Sequence, residues 1–166
     1  WVQPRTAVCL LVDRSGSMGG RPLATSAVAA AAVAFRAPED FSVVSFAKDA
    51  VVVKSQDGTT PVEAIVDAVL ALRGHGTTDL AGALQVAAQQ LARSNAGRKI
   101  VVLLSDCRAT EPGDVEQAAA ALDELAIVAP EGDDEAAVAL ATAVGATITT
   151  VSGPSTAADA LTRVLT

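Results

Sequence analysis

Short apolar runs, each closed by a turn signal and followed by a helical stretch, recur along the whole of this chain. Residues 7–12 (Ala-Val-Cys-Leu-Leu-Val) and 99–105 (Lys-Ile-Val-Val-Leu-Leu-Ser) are the plainest of them. Runs this continuous leave no polar face, so they predict strands buried on both sides, as in a parallel sheet covered by helices. Further strands are predicted at 41–46, 50–54, 125–129 and 146–151. Helices are predicted at 22–36, 61–73, 79–93, 114–124, 133–144 and 154–165. The link between 46 and 50 is too short for a crossover, so the strand at 50–54 is expected to pair antiparallel and to form an edge. The order predicts an α/β fold: a doubly wound, mostly parallel six-stranded sheet with one antiparallel edge strand and helices on both faces.

A chain of 166 residues is expected to form a single domain over 1–166, and its start at Trp1 predicts a piece excised from a larger protein. It is 51% hydrophobic but only 2% aromatic, so the core must be built from Ala, Val, Leu and Ile. No apolar run is long enough to span a bilayer. A net charge of -7 excludes the basic face that nucleic acid binding needs. Acidic residues crowd the C-terminal third and read as solvated helix faces and helix N-termini, Asp133 and Asp134 standing at such a start. Cys9 lies inside the first strand and Cys107 beyond the end of a later one, too far apart along the sheet for a disulfide. Two free thiols predict a reducing, cytoplasmic setting.

The chemistry concentrates where the first strand ends, in Asp13-Arg14-Ser15-Gly16-Ser17. Gly16, Gly19 and Gly20 permit a tight turn there, and Pro22 suits the first position of the following helix. A carboxylate and two hydroxyls are thereby gathered at the carboxyl end of a strand, where open α/β sheets place their ligand sites. The donors are hard oxygens, which suit Mg²⁺ or Mn²⁺ and argue against zinc. Two other segments join them: Gly76-Thr77-Thr78-Asp79-Leu80 before a helix, and Leu103-Leu104-Ser105-Asp106 closing a strand. If the strands of Asp13 and Asp106 are neighbours at the switch point, both carboxylates reach one crevice.

On these three segments the chain resembles the von Willebrand factor A family over essentially its whole length. The family's metal-ion-dependent adhesion site needs Asp-x-Ser-x-Ser, a threonine in a Gly-rich loop and an aspartate closing the fourth strand. The resemblance implies a metal site of Asp13, Ser15, Ser17, Thr78 and Asp106. The hydroxyls of Ser15, Ser17 and Thr78 would bind the cation directly, Asp13 and Asp106 mainly through water. Thr78 is preferred over Thr77 because the ligand directly precedes the helix-start sequence. Cys107 stands where the family usually has glycine. The implied function is recognition of an Asp or Glu of a partner protein by the bound Mg²⁺ or Mn²⁺, without catalysis and with the domain a monomer. Arg14, Arg21, His75 and Arg108 border these loops on an otherwise acidic chain and are expected to steer an acidic partner. Residues 101–114 resemble intracellular bacterial members, including magnesium chelatase subunits and proteins partnered with MoxR-type AAA+ ATPases. That resemblance implies a cytoplasmic adaptor role.

Other readings fit less of the sequence. A serine hydrolase elbow needs Gly-x-Ser-x-Gly, but position 15 is serine, and His75 is the only histidine. A dinucleotide site needs Gly-x-Gly-x-x-Gly, which is absent, and Asp13 would repel the pyrophosphate. Simple helix capping would explain the Asp13 segment alone. An extracellular adhesion module is the alternative within the family, and the free cysteines and small-residue core argue against it.

Overall fold

In the computed structural model, which describes residues 5–15, 22–72, 76–110 and 113–166, strands and helices alternate as the apolar runs predict. The elements are β1 (Thr6–Asp13), α1 (Pro22–Arg36), β2 (Phe41–Phe46), β3 (Ala50–Lys54), α2 (Val62–Leu70) and α3 (Leu80–Leu91). They continue with β4 (Arg98–Leu104), α4 (Val115–Ala120), β5 (Leu125–Pro130), α5 (Glu135–Val144), β6 (Thr147–Val151) and α6 (Pro154–Leu165). The six strands form one sheet in the order β3-β2-β1-β4-β5-β6. All neighbouring pairs are parallel except β2 with β3, which is antiparallel and puts β3 at the edge. β1 lies between β2 and β4, where the winding reverses direction.

The unbroken apolar runs are explained by burial on both faces. Val8, Leu10 and Val12 of β1 point into one core with Ala29, Ala30 and Val33 of α1, Ile65 and Val69 of α2, and Leu161 of α6. Ala7, Cys9 and Leu11 point into the other, against Leu80, Leu84 and Ala87 of α3, Ala119 of α4 and Leu140 of α5. Alanine dominates the buried stripe of α1, which lets that helix lie close between α2 and α6. Both cysteines are buried and free, as their separation along the sheet predicts.

Two helices are shorter than their sequence pattern. α2 ends at Leu70 and not at residue 73, with Ala71 as its C-cap. Its buried side chains are Ile65 and Val69, and Leu70 is already exposed. α4 stops at Ala120 and not at residue 124 because Ala119 is its buried anchor. The chain must then turn at once so that Leu125 can pair with Val101. α5 ends as predicted on Gly145, whose φ of 72° is the left-handed cap conformation that glycine adopts without strain.

Candidate metal centre at the carboxyl ends of β1 and β4

Asp13 is the last residue of β1, and Val12 is in register with Leu104 of β4. One step further along both strands sets Asp13 beside Ser105, and the Ser105 hydroxyl donates to Asp13 Oδ2 at 2.6 Å. The other carboxylate oxygen, Oδ1, accepts from the Ser15 backbone N–H at 2.8 Å. Asp13 is 2% exposed and Ser15 is 4% exposed, so the first turn of the motif is folded inward. Burial raises the Asp13 pKa above the ordinary aspartate range. The bonds from Ser105 and Ser15 pull it back, and the charge of Asp106 adds a further upward push.

Asp106 is fully buried and differs from Asp13 in its partners. Its Oδ1 accepts from the Arg108 backbone N–H at 3.0 Å, whereas its Oδ2 has no hydrogen-bond partner among the described residues. A buried anionic oxygen without a donor costs several kcal/mol unless a cation compensates it. Here a second buried carboxylate lies close by, which makes the need for positive charge greater.

The turn that carries Asp106 has a feature the sequence hints at. Cys107 has a φ of 62°, the one non-glycine residue with positive φ among those described. This is the position where the resemblance implies glycine, and the backbone adopts the glycine-type conformation although a cysteine occupies it. The left-handed turn sends the Cys107 N–H back onto Ser105 Oγ at 2.9 Å. Burial and then the charges of Asp106 and Asp13 push the Cys107 thiol up to about 12, so it stays protonated at neutral pH.

Thr78 reaches the same edge from the helix side. It is 1% exposed, whereas Thr77 is exposed. Its N–H donates to Thr110 Oγ1 at 2.7 Å, and the Thr110 N–H donates to the Thr78 carbonyl at 3.1 Å. The next residue, Asp79, donates its N–H to the Ala47 carbonyl at 2.8 Å and accepts from Gly82 N as the N-cap of α3. Ala47 follows β2 and Thr110 follows β4, so the Thr77–Thr78 turn is tethered to the strands on either side of β1. That arrangement lays Thr78 across the end of β1.

Of the predicted site residues, the structure therefore brings Asp13, Ser15, Thr78 and Asp106 to one end of the sheet. Ser17, Arg21 and His75 lie outside the described residues. Arg14 stands at the rim, donating through its backbone to the Phe46 carbonyl and through its guanidinium to the Asp49 carbonyl at 3.4 Å. Arg108 is half-exposed but already engaged, in an ion pair with Asp133 just ahead of α5. Asp133 is thus a partner of the site loop and more than a solvated acid at a helix start. Sequence reasoning gave no role to Ser105 or Thr110. Ser105 could have been found from the strand register, which needs the sheet order; Thr110 carries no signal of its own.

The donor set consists of carboxylate and hydroxyl oxygens with no imidazole among the described residues, and it fits a hard divalent cation. A von Willebrand factor type A domain model matches residues 7–154, almost the whole chain. The chain belongs to that family. No curated protein matches it by sequence. Among solved structures, a von Willebrand factor type A protein from Catenulispora acidiphila superposes with a TM-score of 0.72 at 22% identity, over 96% of this chain and 41% of that one. Proximal thread matrix protein 1 from the mussel byssus, solved with a zinc-occupied MIDAS motif, superposes at 0.73 and 16% identity over 98% of this chain and 47% of its own. Manganese-loaded TRAP protein of Plasmodium vivax gives 0.72 and 13% identity over 95% of this chain and 72% of that one. This von Willebrand A chain thus spans less than half the length of the first two. At these identities the superpositions show the shared fold.

Proposed function

We propose that this von Willebrand A domain holds a divalent cation, Mg²⁺ or Mn²⁺, between the ends of β1 and β4, and uses it to bind an acidic side chain of a partner protein. The observation that carries the reading is the Asp106 Oδ2 atom, fully buried, without a donor among the described residues, next to a second buried carboxylate. The residues that would hold the cation are Asp13, Ser15, Ser17, Thr78 and Asp106. The cation would supply a positive centre for a carboxylate from outside. Neutral hydroxyls in the set leave it only partly compensated, so it keeps an appetite for an anion. Two neighbours of the same fold carry zinc or manganese, which supports a divalent ion without choosing among metals.

The domain's own residues set the geometry of recognition. Asp13 is fixed by hydrogen bonds from Ser105 and Ser15, Asp106 by the Arg108 N–H, and the Thr78 turn is clamped from both sides. Arg14 lies beside the crevice, and its buried Nε has no partner among the described residues, which favours an incoming carboxylate. Arg108 can serve that purpose only by leaving Asp133. We read the domain as a binding module and not an enzyme, acting as a cytoplasmic bacterial adaptor to a MoxR-type AAA+ ATPase or its client. That finer assignment rests on the resemblance carried by residues 101–114, and a cell-surface adhesion role is the alternative.

Calorimetric titration of Mn²⁺ and Mg²⁺ into the wild type, Asp13→Ala, Thr78→Ala and Thr77→Ala tests the site. One binding site, lost in Asp13→Ala, weakened in Thr78→Ala and kept in Thr77→Ala, is the expected pattern. Equal weakening by both threonine variants would remove the assignment of Thr78. An ATPase pull-down from cell extract that EDTA does not abolish would remove the metal-dependent adaptor role.

A further inference from the structure

We infer that Ser105 is a positioning residue of the metal centre, acting through Asp13; the inference rests on the metal reading above. A serine hydroxyl has one hydrogen to give. The Cys107 N–H donates to Ser105 Oγ at 2.9 Å, which takes up acceptor capacity and turns the hydroxyl hydrogen away from that side. The hydrogen goes to Asp13 Oδ2 at 2.6 Å. Ser105 is fully buried, so water does not compete for either bond.

The chain Cys107 N–H to Ser105 Oγ–H to Asp13 therefore has a single direction, set by the left-handed backbone at Cys107. With Ser15 N–H on Oδ1, the Asp13 carboxylate is pinned at both oxygens, and its plane cannot rotate. Asp106 differs in having one pinned and one open oxygen. Ser105 precedes Asp106 in the chain, so the same turn orients both carboxylates, one through a side chain and the other through the backbone at Arg108. The hydroxyl itself makes its two bonds to protein groups, which assigns it to holding Asp13 and not to holding the cation.

The test is Mn²⁺ affinity, read by calorimetry and by the metal-induced rise in melting temperature over an EDTA baseline. The proteins are the wild type, Asp13→Ala, Ser105→Ala, Ser105→Cys and Ser105→Thr. Outer-sphere partners of metal ligands are typically worth roughly 10–100-fold in affinity, and Ser105→Ala is expected to weaken Mn²⁺ binding by that factor. Ser105→Cys keeps the volume with a weak donor and is expected to weaken binding even if the alanine variant does not fold. Ser105→Thr keeps the hydroxyl and should bind within about threefold of the wild type. A purely structural serine would lower the EDTA baseline and leave the Mn²⁺-induced rise intact in Ser105→Ala and Ser105→Cys, which would overturn the inference. Wild-type binding that Asp13→Ala abolishes but neither serine variant weakens would do the same and leave the metal site standing. Absence of Mn²⁺ binding in the wild type would remove the metal reading, and this inference with it.

Discussion

Each end of the central strands holds an aspartate, half-buried Asp40 at one and fully buried Asp106 at the other, and they treat it in opposite ways. At the amino end Asp40 receives a donor on each oxygen, Gln56 Nε2 on Oδ1 and the Ser94 hydroxyl on Oδ2. Gln56 is tied in turn to Gln90 of α3 and to the Val8 carbonyl, so loop, helix and sheet are stitched into one network. Lys54 closes the same end, giving hydrogens to the Phe41 and Ser55 carbonyls and lying over the Phe41 ring. The atoms left over there among the described residues are neutral, Gln56 Oε1 and Ser42 Oγ. At the carboxyl end the atoms left over among the described residues include Arg14 Nε at the rim and an oxygen of Asp106, an anion. An unmet neutral acceptor costs about 1–3 kcal/mol and an unmet buried charge several. The fold can carry the first as a defect. The second is retained at a cost in stability, which the proposed divalent cation would offset.

Breaking the closed end gives the largest expected effect. Asp40→Ala strips Gln56 and Ser94 of a charged acceptor and is expected to cost about 3 kcal/mol, lowering the melting temperature by roughly 6–12 °C. Calorimetric melting with and without Mn²⁺ checks it, and the metal-induced rise should survive. A smaller effect is expected at the open end, where the backbone is strained. Cys107→Val places a branched side chain in the left-handed region and should cost about 2 kcal/mol. Cys107→Gly relieves the backbone but loses a buried thiol, so its change should stay under about 1 kcal/mol. Urea unfolding of both variants tests whether the backbone there is glycine-like; equal losses would contradict it.

The smallest effect belongs to Arg98 and Glu124, joined by bonds of 2.8 and 2.7 Å at the amino end. Their side chains are 33% and 39% exposed, so the pair should contribute only about 0.5–1 kcal/mol after solvent screening. The Arg98 hydrogen bond, ahead of its charge, holds the Glu124 carboxyl below its ordinary range near 4.5. The contribution is complete above that unfolded value and is lost as the pH falls through the lower folded one. Glu124→Gln should therefore be slightly less stable than wild type at pH 7, with the gap closing as the medium becomes acidic. A gap that persisted at low pH would show that the charge contributes nothing.

Much of this contrast can be read in the sequence, though unequally. The strands were predictable from their runs of β-branched and aromatic residues, and 41–46 and 50–54 coincide with β2, buried throughout, and with the half-exposed edge strand β3 residue for residue. Helix ends were less so, because α2 and α4 stop where their buried faces stop and not where helix-forming residues run out. At the candidate site, Asp13, Thr78 and Asp106 stand out by residue type at strand and helix ends. Ser105 and Asp40 do not, since their roles come from strand register and from loops that meet only in the folded chain. The Arg108–Asp133 pair links residues whose loops lie beyond β4 and β5, and no local pattern announces it.

The most direct measurement compares Asp106→Asn with the wild type by calorimetric melting, first in EDTA and then with millimolar Mn²⁺ or Mg²⁺. Removing the unmet charge should raise metal-free stability by about 1 kcal/mol while abolishing the metal-induced rise expected of the wild type. A variant less stable than the wild type in EDTA, or a wild type that the metals do not stabilise, would contradict a metal centre at the ends of β1 and β4.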